Sequence, residues 1–366
     1  MKRFIGRGRK ATRRATATIK DVASRAGVAV GTVSRVVNNS PDVNAELRLR
    51  VLRAAEELNY RPNARGRSLA RNSSALLSFI LSNRDFLHPF HSHVLQGVQE
   101  FCEKAGYFVM YTQFQYSPDT KASELVLPLV LQSHGMTDCV LLAGTNYKNF
   151  SDALESRNIP YVLLANNFVG DGQRKPVNQV RFDDAAGAAE ATRYLIQLGH
   201  RQICYIGDIS MPWYQARYQA YLKEIERAGL QPIAQTLGLS DNRFTNGLKS
   251  VQEILDQKVP VTAIFAGTDD VAFGAWEALR RHGVQVPRDI SLIGFDDQHT
   301  QLVFPALTTV RVDTEEVGRQ LAKMAITRLT SNGRPMPEVL IPTKLMKRET
   351  CRPLLNMQGP RRKRDL

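Results

Sequence analysis

Within residues 18–70, TIKDVASRAGVAVGTVSRVVNNSPDVNAELRLRVLRAAEELNYRPNARGRSLA, the apolar side chains Ile19, Val22, Ala23 and Ala26 recur at helical spacing. Gly27 interrupts them, and Val33, Val36 and Val37 resume the stripe after a short turn. Two short helices joined at a glycine turn leave the second one outward-facing, in the geometry that enters a DNA major groove.

The charge distribution points the same way. Residues 1–71 hold 17 Lys and Arg against 5 Asp and Glu, a net +12 of the chain's +14. Residues 361–366 add +3, so everything between carries −1. A near-neutral body with one strongly basic end is the footprint of a module that pairs with phosphates, whereas a surplus serving solubility would be spread evenly.

At 366 residues and 43% hydrophobic content, the chain is long enough for more than one core. Cys102, Cys139, Cys204 and Cys351 lie far apart with no CxxC spacing, so reduced and mostly buried thiols are expected, with no zinc site and no disulfide framework. No run approaches the roughly 18 apolar residues of a membrane span, so no membrane partner is expected. Residues 1–17 contain Arg13-Arg14 but no apolar region follows, which reads as a disordered basic arm of a cytoplasmic, nucleoid-associated protein rather than an export signal. Residues 355–366 read as a second basic disordered tail.

Beyond a polar linker at residues 71–74 the pattern changes. Short apolar runs at 76–82, 107–114, 138–144, 161–165, 203–208, 262–267 and 290–296 alternate with helical patterns such as 93–105, 185–198, 213–228 and 270–281. That alternation predicts an α/β body of doubly wound parallel sheets. About 290 residues exceed one sheet, so two lobes are expected. Ligands of such sheets bind beyond the carboxyl ends of the strands, which directs attention to the loops 83–91, 209–217, 267–270 and 296–300.

At five points the residues match known motifs: TIKDVASRAGVAVGTVSRVVN, LNYRPNARGRSLA, YLIQLGHRQICYIG, PRDISLIGFDD and FPALTTVRVDTEEVG. From residue 18 to 353 the chain thereby resembles the LacI/GalR family of bacterial transcription repressors. The resemblance implies an all-α helix-turn-helix headpiece at 18–61, a hinge helix and linker at 62–74, and two periplasmic-binding-protein-like lobes at 75–354. It further implies a homodimer on a near-palindromic double-stranded DNA operator, controlled by a small-molecule effector in the cleft, with no cofactor and no catalysis. A dimer is favoured over a tetramer because no C-terminal leucine heptad is present.

Residue by residue, the resemblance places the recognition helix at 30–38, the third helix at 45–58 and the hinge helix at 63–70, with Val30, Gly31 and Arg35 facing bases. Leu69 is the minor-groove wedge, and Asn63, Arg65 and Arg67 accompany it on the DNA side. Arg35 is the one long donor on the exposed helix face, suited to a bidentate contact with guanine, although a phosphate contact is the competing reading. Thr18, Thr32, Ser34 and Asn38 read as phosphate positioners and caps. Gly66 stands where the commoner family pattern has Ala; a helical glycine costs about 1 kcal/mol, which predicts a hinge that orders only on DNA, or else a plain basic linker.

In the lobes, Arg217 and Asp296 match positions that grip hydroxyls in sugar-binding members; the competing reading is that they pair with each other or across the lobes. Asp297 should point elsewhere. Thr268 stands where many members have Asn before the Asp that is Asp269 here, and Ala165-Asn166 where many have Asp-Arg, so the effector need not be a common hexose. Phe86, Phe90 and Trp213 either stack on a sugar or serve packing. Among His88, His91 and His93 no supporting Cys or carboxylate is adjacent, so His91 reads as a pocket-mouth contact or an exposed side chain, not a metal ligand. The resulting expectation is a ligand-responsive regulator, most simply of carbohydrate utilisation genes, with the sugar or sugar derivative held by Phe90, His91, Trp213, Arg217, Thr268, Asp269 and Asp296. The alternatives are a solute-binding protein, which the body alone permits, and a Rossmann-type enzyme, against which stands the lack of a strand followed by GxGxxG.

Overall fold

The structure, a computed structural model, describes residues 17–37, 40, 42–61, 73–84, 88–170, 177–239, 242–331 and 333–354. It divides into two compact units between Ser74 and Ala75.

The first unit is helical. Thr18 caps the helix Ile19–Ala26 through a reciprocal box, its hydroxyl accepting from the Asp21 N–H while its own N–H donates to the Asp21 carboxylate at 2.7 Å. Gly27 ends that helix at φ 60°, a left-handed conformation open to glycine at little cost. The helices Val30–Val37 and Ala45–Glu57 follow. Their apolar stripes close on one small core of Val22, Ala23, Ala26, Val33, Val36, Val43, Val51 and Ala54. The periodicity at residues 19–37 is therefore the packing face itself. The hinge residues Asn63, Arg65, Gly66, Arg67 and Leu69, with Asn38 and Phe86, lie outside the described residues.

The second unit holds two six-stranded sheets. The first runs in the order β13-β7-β5-β3-β1-β2, with β1 Leu76–Ser82, β2 Phe108–Phe114, β3 Cys139–Gly144, β5 Tyr161–Leu164, β7 Gln179–Phe182 and β13 Val339–Ile341, all parallel. The second runs β14-β12-β11-β10-β8-β9, with β8 Ile203–Ile206, β9 Ile233–Gln235, β10 Ala263–Ala266, β11 Ser291–Asp296, β12 Thr308–Arg311 and β14 Lys344–Met346. Only β14 is antiparallel there. A two-stranded ribbon pairs β4 Asn146–Tyr147 with β6 Phe168–Val169. β3, β8 and β10 are buried along their whole length, as strands covered on both faces must be.

The chain crosses between sheets three times, after β7, after β12 and after β13. These crossings are what bring the strand ends of the two lobes face to face. The helix Thr314–Thr330 returns after β12 to pack on the helix Pro89–Ala105 of the first lobe. Gly97 and Gly318 permit that approach: a Cβ on Gly97 would stand 2.0 Å from the Glu315 carbonyl oxygen, and one on Gly318 2.0 Å from that of Val94.

The architecture matches the expected doubly wound body, with differences at its mixed and short segments. The short strands β9, β12, β13 and β14, and the helices Arg243–Asp256 and Thr314–Thr330, were not among the segments read from the sequence. The helix read at 93–105 begins at Pro89, since His88 caps it and proline suits its first turn. Cys102, Cys139 and Cys204 are buried and Cys351 is half-buried, all as free thiols.

Candidate nucleic-acid interface and effector cleft

On the headpiece, Val33 and Val36 point inward, and Val30, Gly31 and Arg35 are exposed together on the opposite face of the helix Val30–Val37. Thr32 and Ser34 are half-buried beside them. Thr18 is exposed, but its hydroxyl also donates to Asp21 at 2.8 Å, so its first task is to start a helix. That hydrogen bonding holds the Asp21 carboxyl below its ordinary range, the backbone N–H of Thr18 being the larger cause. A Cβ built on Gly31 meets nothing within 4 Å. Packing among the described residues therefore gives no reason for glycine at that position.

Between the two sheets a buried polar chain runs along the first crossing. The Asn166 amide donates to the Phe182 carbonyl at 2.8 Å and to the Asp184 carboxylate at 2.7 Å. Asp184 accepts from Arg217 Nε at 2.7 Å, and Arg217 Nη2 donates to Asp296 at 3.2 Å. Arg217 Nη1 donates to the Gly267 carbonyl, and the guanidinium lies over the Phe295 ring, 3.6 Å from its centroid. Arg217 is 1% exposed. Burial alone disfavours its charge, but Asp184 and Asp296 outweigh that, so it stays firmly protonated. Both carboxyls are pushed above their ordinary range by burial, against the pull of Arg217. Asp296 holds its place at φ 103°, left-handed and strained for a non-glycine residue.

The Arg217 and Asp296 end of this chain floors a small cavity of about 30 Å³, room for about one water. Phe90, His91, Trp213, Arg217, Thr268 and Asp296 line it, together with His88, Asn167, Phe182 and Arg243. Thr268 also caps the helix Asp269–Arg281 and contacts the Tyr214 hydroxyl at 3.1 Å. Phe90 packs against Phe182 with centroids 5.7 Å apart, so packing accounts for part of its role. His91 is 2% exposed with no partner for either ring nitrogen among the described residues. Burial holds it neutral, its pKa well below the ordinary histidine value.

Asp269 departs from expectation, for it lines neither cavity. As the first residue of its helix it turns away, accepting from the Gln298 N–H at 2.7 Å and the Thr309 hydroxyl at 2.6 Å. Burial, and Asp296 beside it, push its carboxyl well above the ordinary range. It is a brace for the loop after β11. Asp297 faces Arg311 and Arg348 at 2.6 and 2.8 Å, away from the cleft.

A larger cavity of about 440 Å³ adjoins, sharing His88, His91 and Arg243 and adding Asn83, Arg84, Asn242, Phe244 and Asp270. His88 Nε2 meets the Asp270 carboxylate at 2.9 Å and Arg243 reaches the same oxygen at 3.4 Å, so a side chain of the first lobe is tied to two of the second. His88 and its partners hold Asp270 below the ordinary carboxyl range despite burial. Of the residues not expected here, Arg84 and His88 sit in a loop already singled out. Arg243 starts a helix that the sequence does not advertise, and Asp184 lies at a crossing with no motif.

The chain is similar to known proteins along most of its length. Residues 18–63 match the bacterial regulatory proteins of the lacI family, and residues 192–351 match a periplasmic binding protein-like domain. The HTH-type transcriptional repressor CytR of Escherichia coli K12 is 34% identical over 306 residues, 83% of this chain and 87% of CytR. PurR of Serratia proteamaculans, also an HTH-type transcriptional repressor, is 32% identical over 339 residues, 91% of this chain and 96% of PurR. Among solved structures, the lac repressor dimer bound to operator and the anti-inducer ONPF superposes with a TM-score of 0.75 at 26% identity, over 92% of this chain and 99% of that one.

Proposed function

The chain belongs to the lacI family of bacterial regulatory proteins, and from that premise we propose that its cleft ligand sets the affinity of a homodimer for a near-palindromic operator. It is a ligand-responsive, DNA-binding transcriptional regulator rather than a solute-binding protein. The observation that carries the DNA reading is the outward cluster of Val30, Gly31 and Arg35 on the second helix of a strongly basic unit. Arg35 reads a guanine edge, Val30 meets a thymine methyl, and Gly31 lets the helix backbone come close to the bases. Thr18, Thr32, Ser34 and Asn38 position the phosphates, and Asn63, Arg65, Arg67 and Leu69 act from the hinge.

The ligand enters between the lobes, where His88 meets Asp270 and Arg243. Changing the separation of those side chains is how a bound molecule would bias the lobes, and by linkage DNA binding would alter ligand affinity by the same factor. The effector is a polar small molecule, and a sugar derivative fits the hydroxyl-binding character of Arg217 and Asp296. DNA places the protein's working compartment in the cytoplasm. Titration of the full chain onto operator DNA with and without candidate ligands tests this reading: a ligand should shift the midpoint, and Arg84→Gln or Trp213→Ala should blunt the shift while leaving the ligand-free midpoint in place. A ligand response untouched by both changes would put the site elsewhere.

A further inference from the structure

The larger cavity is lined by two guanidiniums and a single carboxylate among the described residues, and that carboxylate is already shared. Asp270 serves both His88 and Arg243. Arg84 has no such partner among the described residues. Its Nε and Nη2 lack any hydrogen-bond acceptor among the described residues, and both atoms are shut off from solvent. Those two nitrogens lie along one edge of the guanidinium, the edge that donates two parallel N–H groups to two oxygens of one anion. The face of the same group rests on the Trp213 ring, 4.4 Å from its centroid, which fixes the direction of the fork. Beside it stands His91, 2% exposed and likewise unpartnered at both ring nitrogens.

We propose that the effector carries an oxyanion, a phosphate or a carboxylate, which displaces the side chains covering these buried nitrogens, so that Arg84 receives two of its oxygens on the Nε–Nη2 edge while His91 donates a neutral N–H. The proposal deepens the reading of the cleft as the effector site and rests on it. Arg84, oriented by an aromatic face and without a counterion among the described residues, is a donor pair awaiting an acceptor, since a buried donor costs free energy until it is hydrogen-bonded. Burial, with Arg243 nearby, lowers the Arg84 pKa to about 10, the direction expected of a cation that lacks its anion. Arg243 adds a second positive charge at the rim and favours an anion over a neutral sugar.

The test titrates the full chain with inorganic phosphate, acetate and chloride at matched ionic strength, reading tryptophan emission, with Trp213→Phe identifying the part of the signal that comes from the cleft. Phosphate or acetate should move the Trp213 signal saturably where chloride does not. Arg84→Gln should weaken that binding about tenfold or more, and Arg84→Lys, which keeps the charge but not the fork, should fall between. A response to phosphate alone identifies a phosphate ligand, and a response to acetate alone a carboxylate. Equal effects of all three anions, or a response retained in Arg84→Gln, overturn the proposal. A parallel arm uses uncharged sugars: Trp213 emission moved by a sugar equally in wild type and Arg84→Gln would keep the cleft as effector site and discard the oxyanion.

Discussion

The Arg217 guanidinium and the Asp184 carboxylate meet at 2.7 Å with side-chain exposures of 2% and 3%, and Asp296 closes on the same guanidinium from the other side. One cation thus serves two carboxylates away from water, at the point where the chain first crosses between lobes. The triad fastens the fold, and its Arg217 and Asp296 also line the smaller cavity.

Arg217→Ala is therefore expected to do more than silence the ligand response. Removing one partner of a buried pair leaves uncompensated charge, at a cost of about 3–5 kcal/mol. Asp296→Asn keeps the shape and relieves the excess negative charge, so it should cost far less stability. Urea denaturation of both variants checks this, and equal stabilities would mean that Arg217 contributes little to the fold.

Asp269 should make stability depend on pH with a definite sign. Its native pKa is raised, so the folded state binds a proton more tightly than the unfolded chain. Its contribution is fully present below the ordinary carboxyl value and is lost as pH rises through the raised native value. Asp269→Asn, an uncharged near-isostere, should gain on wild type across that window and show no advantage below it. Thermal unfolding from pH 4 to pH 8 reads the difference, and a constant offset between the two proteins would contradict the burial argument.

On the headpiece, Gly31→Ala and Arg35→Ala separate folding from recognition. A Cβ at Gly31 meets nothing, so alanine should stabilise the helix by up to about 1 kcal/mol while weakening operator binding, if the backbone must approach DNA. Arg35→Ala should leave stability unchanged and cost about 1–3 kcal/mol on operator, with little loss on random DNA. Equal losses on both DNAs would make Arg35 a phosphate contact.

Much of this was legible from residue pattern alone, and what was not has physical reasons. Val22, Ala23, Ala26, Val33 and Val36 announce the headpiece because a small core needs every apolar position on one face. Arg217 and Asp296 were picked out by the family resemblance, at strand ends where parallel sheets bring their ligands. Their mutual pairing was one of two open readings, since sequence spacing does not show whether an Arg and an Asp from different strands turn toward a ligand or toward each other. Asp184 stayed hidden because β7, QVRF, is four residues of mixed polarity before an unremarkable helix start. Asp269, set beside Thr268 in the cleft by the family resemblance, turns to the loop after β11 instead, because adjacent residues at a helix start point in different directions.

The most direct measurement is selection of fragments of the source organism's genomic DNA by the full chain, followed by titration of the enriched fragment at several salt concentrations, against a chain lacking residues 1–74. The expected result is enrichment of a near-palindromic site bound by a dimer, with a log–log salt slope of about −5 to −9 and no binding by the truncated chain. A slope shallower than about −2, or enrichment no greater than for the truncated chain, would contradict the assignment of this protein as a DNA-binding regulator.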